Sequence, residues 1–198
     1  MSRRTLLSAL VVVCLPSLAT AEQLSSIFNG KDLSGWKAPD ENKGYFQADD
    51  GVLKVQSGAE KEGQTLWTEK EYKNFVMEFD FKFGGGTVDT GIYVRNLKEQ
   101  IQIGISGSLK RDMTGSPYIA GKGYPVEAKG VKELLKLKDW NEMTIVAKGK
   151  NYTVWLNGEQ VMSYDSESAI EQGPIGIQLH GGVDMACQYR NIRLSELK

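Results

Sequence analysis

The run Phe75-Val76-Met77-Glu78-Phe79-Asp80-Phe81-Lys82-Phe83 places an apolar side chain at every second position. An extended chain sends successive side chains to opposite sides of a sheet, whereas a helix of period 3.6 would scatter these phenylalanines around its circumference. The segment therefore reads as a half-buried strand, and Gly84-Gly85-Gly86 is expected to end it as a turn. Such a strand needs partners. Residues 144–148 run through Gly149-Lys150 into 152–156, and Asn157-Gly158, a favoured pair for a two-residue hairpin turn, leads into 160–164. Shorter strands are predicted at 45–48, 52–55, 65–67, 91–95, 100–105, 174–180 and 185–194. Many short strands with Gly-rich turns predict an all-β, antiparallel sandwich. Residues 131–138 are the one candidate helical stretch, and 106–138 is otherwise a long connection of the kind that carries function.

Alternation also sorts the faces. In 91–95, Ile92 and Val94 point to the core, with Tyr93 and Arg95 opposite. Ile101 and Ile103 take the core and leave Gln100 and Gln102 outward. Ile175, Ile177 and Leu179 go inward, leaving Gly176, Gln178 and His180 on the other side. Rows of Arg, Gln, Tyr and His offer the paired donors and acceptors that sugar hydroxyls need, and the bland alternative is an ordinary solvated face. His180 is the only histidine, so a multi-His metal site is excluded. Asp89, Asp184 and Glu99 offer oxygen ligands at no diagnostic spacing, and no HExxH, P-loop or Gly-x-Ser-x-Gly elbow is present; neither a metal nor a cofactor is implied. Trp36, Trp67, Trp140 and Trp155 could serve as sugar-stacking platforms, but most of the four are expected in the core.

Arg3 and Arg4, the short apolar run 6–15 and Ala19-Thr20-Ala21 read as a secretory signal peptide, residues 1–21, cleaved after Ala21. The expectation is a secreted or periplasmic protein with one domain over 22–198. The alternatives are an uncleaved anchor or a lipoprotein, the latter disfavoured by Val13 before Cys14. Without Arg3 and Arg4 the chain carries 22 basic and 25 acidic side chains, so nothing suggests nucleic acid, and no later segment suggests a membrane. Cys187 alone remains, so no internal disulfide forms and packing must supply the stability.

Specific motifs sharpen this reading. Ile27-Phe28-Asn29-Gly30-Lys31-Asp32-Leu33-Ser34-Gly35-Trp36 resembles the opening of the 3-keto-disaccharide hydrolase domain family. The resemblance continues through Thr90-Gly91-Ile92-Tyr93-Val94-Arg95, Thr114-Gly115-Ser116-Pro117-Tyr118, Asp139-Trp140-Asn141-Glu142 and Leu156-Asn157-Gly158. It closes with Gly173-Pro174-Ile175-Gly176-Ile177-Gln178-Leu179-His180-Gly181 and Tyr189-Arg190-Asn191-Ile192. The resemblance implies a concanavalin-like jelly roll of two antiparallel sheets, acting on 3-keto-glycosides by removal of the C2 proton and loss of the C1 substituent. It implies His180 as acid/base, Arg95 and Gln102 orienting substrate or holding the enolate, and Gln178, Tyr93, Tyr118 and Gln100 on the sugar. Two positions depart: Gln100 stands where the family pattern has a carboxylate, and Ile105 where it has Asp. Glu99 could replace the lost carboxylate only if a bulge turned it to the polar face.

Three readings stay open. The chain is a hydrolase or lyase of oxidised glycosides, a non-catalytic carbohydrate-binding module on the same fold, or an interaction domain with no sugar site. Retention of His180 favours the first and Gln100 the second. The oligomeric state is not legible.

Overall fold

The computed structural model describes residues 23–198. The predicted signal peptide lies outside the described residues. The strands are β1 (Ser25–Ser26), β2 (Trp36–Lys37), β3 (Phe46–Asp49), β4 (Val52–Gln56), β5 (Gln64–Tyr72), β6 (Phe75–Gly86) and β7 (Asp89–Val94). After them come β8 (Glu99–Gly104), β9 (Pro117–Ile119), β10 (Asn141–Lys148), β11 (Asn151–Leu156), β12 (Glu159–Asp165), β13 (Gly173–Leu179) and β14 (Met185–Glu196). The helical stretch forms only one turn, α1 (Val131–Leu134).

Two antiparallel sheets pack face to face. One has eight strands, ordered β12-β11-β10-β6-β14-β4-β3 with β1 also on β14; the other has six, ordered β2-β5-β13-β7-β8-β9. The alternating run 75–83 lies in the middle of the larger sheet, where Met77, Phe79 and Phe81 are wholly buried. Ile92, Ile101, Ile103, Ile175 and Ile177 meet them from the smaller sheet, all with no exposed surface. Each such side chain contributes about 1.5–3 kcal/mol of hydrophobic stabilisation, and this layer holds the fold together without a disulfide.

Late β13 inserts between β5 and β7. This non-local pairing brings His180, just past β13, beside Asp89, which lies far earlier in the chain. The glycine triplet does not turn. Gly84, Gly85 and Gly86 continue β6, with Gly86 paired to Met185, because the chain there runs against β14 so closely that a Cβ on Gly84 would lie 2.8 Å from the Ala186 carbonyl oxygen. The tryptophans also depart from expectation. Only Trp36 is buried, donating its indole N–H to the Ile27 carbonyl at 2.8 Å, while Trp67, Trp140 and Trp155 are half-buried.

Candidate functional site

The face of the six-stranded sheet turned away from the core carries the polar rows. Strand register aligns Lys37, Trp67, Gly176, Tyr93, Gln100 and Tyr118 as a transverse line across all six strands. Two residues along, Gln178 lies opposite Thr65, and Gly91 opposite Gln102. A further step places His180 beside Asp89.

Two glycines shape this surface. A Cβ on Gly176 would lie 2.7 Å from the Trp67 ring, and one on Gly91 would lie 2.6 Å from the Ile101 carbonyl oxygen and collide with the Gln100 side chain. With hydrogen alone at both positions, Trp67 and Gln100 lie flat across the sheet instead of standing up from it. Trp67 reaches Tyr93 in an offset stack, centroids 5.6 Å apart at 24°. Gln100 reaches Gln178.

The glutamines form a chain whose polarity has one consistent solution. Gln102 Nε2 donates to Asp89 Oδ1 at 2.8 Å, and a carboxylate can only accept, so Gln102 Oε1 faces the other way. There it accepts from Gln100 Nε2 at 3.0 Å and the Tyr124 hydroxyl at 3.1 Å. Gln100 Nε2 also donates to Gln178 Oε1 at 3.0 Å, and Gln178 Nε2 donates to the Tyr93 oxygen at 2.8 Å. Tyr93 thus accepts from Gln178 and keeps its own proton to donate. Burial pushes the Tyr93 and Tyr124 phenols upward, so both remain neutral donors. A carboxylate at position 100 would set acceptors against two amide oxygens. Gln100 is the donor this network requires.

Asp89 is 3% exposed, and its Oδ2 is buried without a hydrogen-bond partner. That oxygen lies 3.8 Å from His180 Nε2. His180 Nδ1 sits 2.7 Å from the Gly181 carbonyl oxygen, which can only accept, so in the neutral imidazole the ring hydrogen is on Nδ1 and Nε2 presents the lone pair. Two proton acceptors therefore converge on one point, too far apart to bond each other. They border a pocket of about 520 Å³ also lined by Tyr93, Tyr118, Gln178, Ser106, Ser108 and Lys110. Tyr93, Gln178 and His180 are shared with an adjoining depression of about 610 Å³ over Trp67.

The structure thus brings together Gln100, Gln102, Gln178, Tyr93, Tyr118 and His180. Arg95 is a correction. Its φ of 67° ends β7 in the left-handed region and breaks the alternation that would have placed it beside Tyr93. The side chain turns into the protein, 1% exposed, and donates to the carbonyls of Gly149 at 2.8 Å and Ile170 at 3.1 Å. Glu99 is likewise interior, accepting from Ser166 at 2.7 Å, Ser168 at 2.5 Å and Tyr152; no bulge turns it to the groove. Asp184 binds Ser57 at 3.1 Å, so Asp89, Asp184 and Glu99 do not assemble. Among the described residues no cluster of three or more His, Cys, Asp or Glu could hold a metal ion.

Asp89 and Lys110 are among the pocket residues sequence reasoning did not assign to substrate, and Trp67 belongs to the tryptophans it expected mostly in the core. Extending the alternation of 91–95 two places backward would have found Asp89, on the same face as Gly91 and Tyr93.

A family model described as 3-keto-alpha-glucoside-1,2-lyase-like domain matches residues 23–195. A solved structure from Parabacteroides distasonis ATCC 8503, provisionally named a glycosyl hydrolase, superposes with a TM-score of 0.65 at 24% identity, covering 89% of this chain and 100% of that one. The CBM66 carbohydrate-binding module from Bacillus subtilis superposes at 0.52 with 10% identity over 82% of this chain and 96% of its own. The exoplasmic/lumenal domain of VIP36, in a Ca²⁺/Man3GlcNAc-bound form, does so at 0.62 with 9% identity, over 89% and 91%. These similarities establish a lectin-like jelly-roll fold. Comparison with curated proteins found no match.

Proposed function

The chain belongs to the 3-keto-alpha-glucoside-1,2-lyase-like domain family, and from that premise we propose that it cleaves 3-keto-glucosides by elimination across C1 and C2. A ketone at C3 acidifies the proton on C2, so a modest base suffices. His180 Nε2 takes that proton, and the Asp89 carboxylate, held by Gln102, stabilises the imidazolium that results. The electron pair left on C2 is delocalised onto the C3 oxygen, where the free O–H of Tyr93 and the Lys110 ammonium meet the developing charge. It then forms the C1–C2 double bond as the C1–O bond breaks, and His180 returns its proton to the departing oxygen. Gln100, Gln178 and Tyr118 orient the sugar hydroxyls.

The observation that carries this reading is the convergence of two proton acceptors, 3.8 Å apart, on a pocket with a free phenolic donor. Purified protein is incubated with a 3-keto-glucoside and its unoxidised counterpart in D2O, following C2 exchange and release of the C1 substituent by NMR. Exchange and release from the ketone alone are expected. Equal turnover of both would reject the enolate mechanism, and binding without turnover of either would assign the carbohydrate-binding-module reading.

Export is proposed on the strength of Arg3-Arg4, the apolar run and Ala19-Thr20-Ala21. Protein recovered outside the cytoplasm should begin at Glu22, and soluble cytoplasmic protein still beginning at Met1 would contradict it.

A further inference from the structure

We propose that the apolar groove beside α1 docks a second copy of this chain, in a two-fold dimer where Leu137 of each copy fills the groove of the other.

A knob and a hole lie on one patch. Leu137 is 63% exposed, although the chain on either side of it is anchored. The Lys136 N–H donates to Asn141 Oδ1 at 2.8 Å, and the Lys136 carbonyl accepts from Asn141 Nδ2 at 2.9 Å. Asn157 Nδ2 donates to the Leu134 carbonyl at 2.8 Å, and Leu134 and Leu135 pack against the core. The fixed backbone therefore holds Leu137 outward. Beside it lies a groove of about 280 Å³ whose walls are Val131, Leu135 and Leu137, with Asp112 and Lys132 as its polar residues. Leu109, 44% exposed, sits on the loop that Asp112 ends, so a second large apolar side chain stands close in sequence to the same surface.

The charges complement their own rotated image. Asp112 is half-buried and bonded to the Thr114 N–H at 2.9 Å, with no cation among the described residues within ion-pair distance. Lys136 and Lys138, which flank Leu137, are exposed and equally without a carboxylate, whereas Lys54, Lys70 and Lys73 each pair with an acid of their own chain. In a two-fold contact one patch serves both copies. As Leu137 enters the groove opposite, its flanking lysines arrive at the Asp112 there, and the reciprocal contact forms in the same step. Glu133 and Asp139 lie among these lysines, so the surface carries both signs and suits a copy of itself better than a uniformly acidic partner. Asp112 also closes the base of the loop through its bridge to Ile105, and that loop carries Ser106, Ser108 and Lys110 at the edge of the pocket. The second copy thus braces this wall from outside.

Sedimentation equilibrium of the purified protein from about 1 to 300 μM should show a monomer–dimer equilibrium. Amide hydrogen exchange should slow with concentration in residues 106–112 and 129–138. Leu137→Glu alters an exposed side chain, so its melting should match wild type while dimerisation weakens at least about tenfold. Asp112→Lys, and separately Lys136→Glu combined with Lys138→Glu, should weaken it similarly. Mixing these two charge variants should restore a heterodimer, because each supplies the sign the other now requires. A monomer at every concentration, a dimer indifferent to Leu137→Glu, or slowed exchange confined to other segments would overturn the proposal. Mass that climbs without a plateau would overturn the two-fold closure, and failure of the mixed variants to associate would overturn the charge pairing. If Asp112→Lys does not fold, Leu137→Glu and the exchange pattern of wild type decide the matter.

Discussion

Replacing Asp89 with asparagine should separate stability from chemistry. In the native protein Asp89 Oδ1 is satisfied by Gln102, but Oδ2 is buried without a hydrogen-bond partner and faces the lone pair of His180 Nε2 at 3.8 Å. In Asp89→Asn the new side chain has the same shape, keeps an oxygen for Gln102 and puts an N–H where Oδ2 was, so a donor now faces Nε2, and the 42% exposed His180 side chain closes the 3.8 Å gap to a hydrogen bond by moving inward about 0.6 Å. Relief of a buried unsatisfied oxygen is worth about 1–3 kcal/mol, while weakening the charge-assisted bond from Gln102 costs about 1 kcal/mol. The net is a gain of about 0–2 kcal/mol, a rise in Tm of about 2–4 °C per kcal/mol for a domain of this size. Turnover of the 3-keto-glucoside should nonetheless fall about 100- to 10,000-fold, because the imidazolium loses its counter-charge. Calorimetric melts and steady-state kinetics on the same preparation measure both. A variant destabilised by more than about 1 kcal/mol would show that the carboxylate is structurally satisfied. One that keeps full activity would remove Asp89 from the chemistry.

His180→Ala should stay within about 0.5 kcal/mol of wild type, since the side chain is 42% exposed, whereas Ile177→Ala, with no exposed surface, should cost about 2–5 kcal/mol; the reverse order in thermal melts would mean the face assignment is wrong. Arg95→Met should cost about 3 kcal/mol by removing two charge-assisted hydrogen bonds beside buried Glu99, yet leave KM in the surviving folded protein unchanged; a raised KM would return Arg95 to the substrate. Cys187 is 1% exposed and burial pushes its thiol up to about 12, so native protein at about pH 8 should resist thiol reagents until it unfolds, and rapid labelling would contradict the packing. The sign of the pH effect follows. The folded thiol holds its proton to higher pH than the unfolded one, so its contribution to stability is full below about 8.5 and is lost as pH rises toward 12. Across that window the urea midpoint of wild type should fall relative to that of Cys187→Ala.

Period-two alternation alone determined which side chains meet in the core. Ile101, Ile103, Ile175, Ile177 and Leu179 are at most 1% exposed, and Gln100, Gln102, Gln178 and His180 occupy the other face. That worked because side-chain direction within one strand is a local consequence of extended backbone. The same rule failed at Arg95, where one residue at a φ of 67° reversed the side chain, and the reading of glycines as a turn failed at Gly84-Gly85-Gly86, where close approach to β14 demanded glycine without any turn. What tertiary structure decided was company. Asp89 is an ordinary strand-end carboxylate until β13, from the far end of the chain, pairs with β7 and sets His180 against it. Trp67 has the composition of a core residue until Gly176, on the neighbouring strand, leaves room for the ring to lie flat. Gln100 reads as a lost carboxylate until its three partners show why an amide is needed there. Alternation states where a side chain points, but the partner across a sheet is chosen by long-range strand pairing, whose register is set by the packing of the whole sandwich.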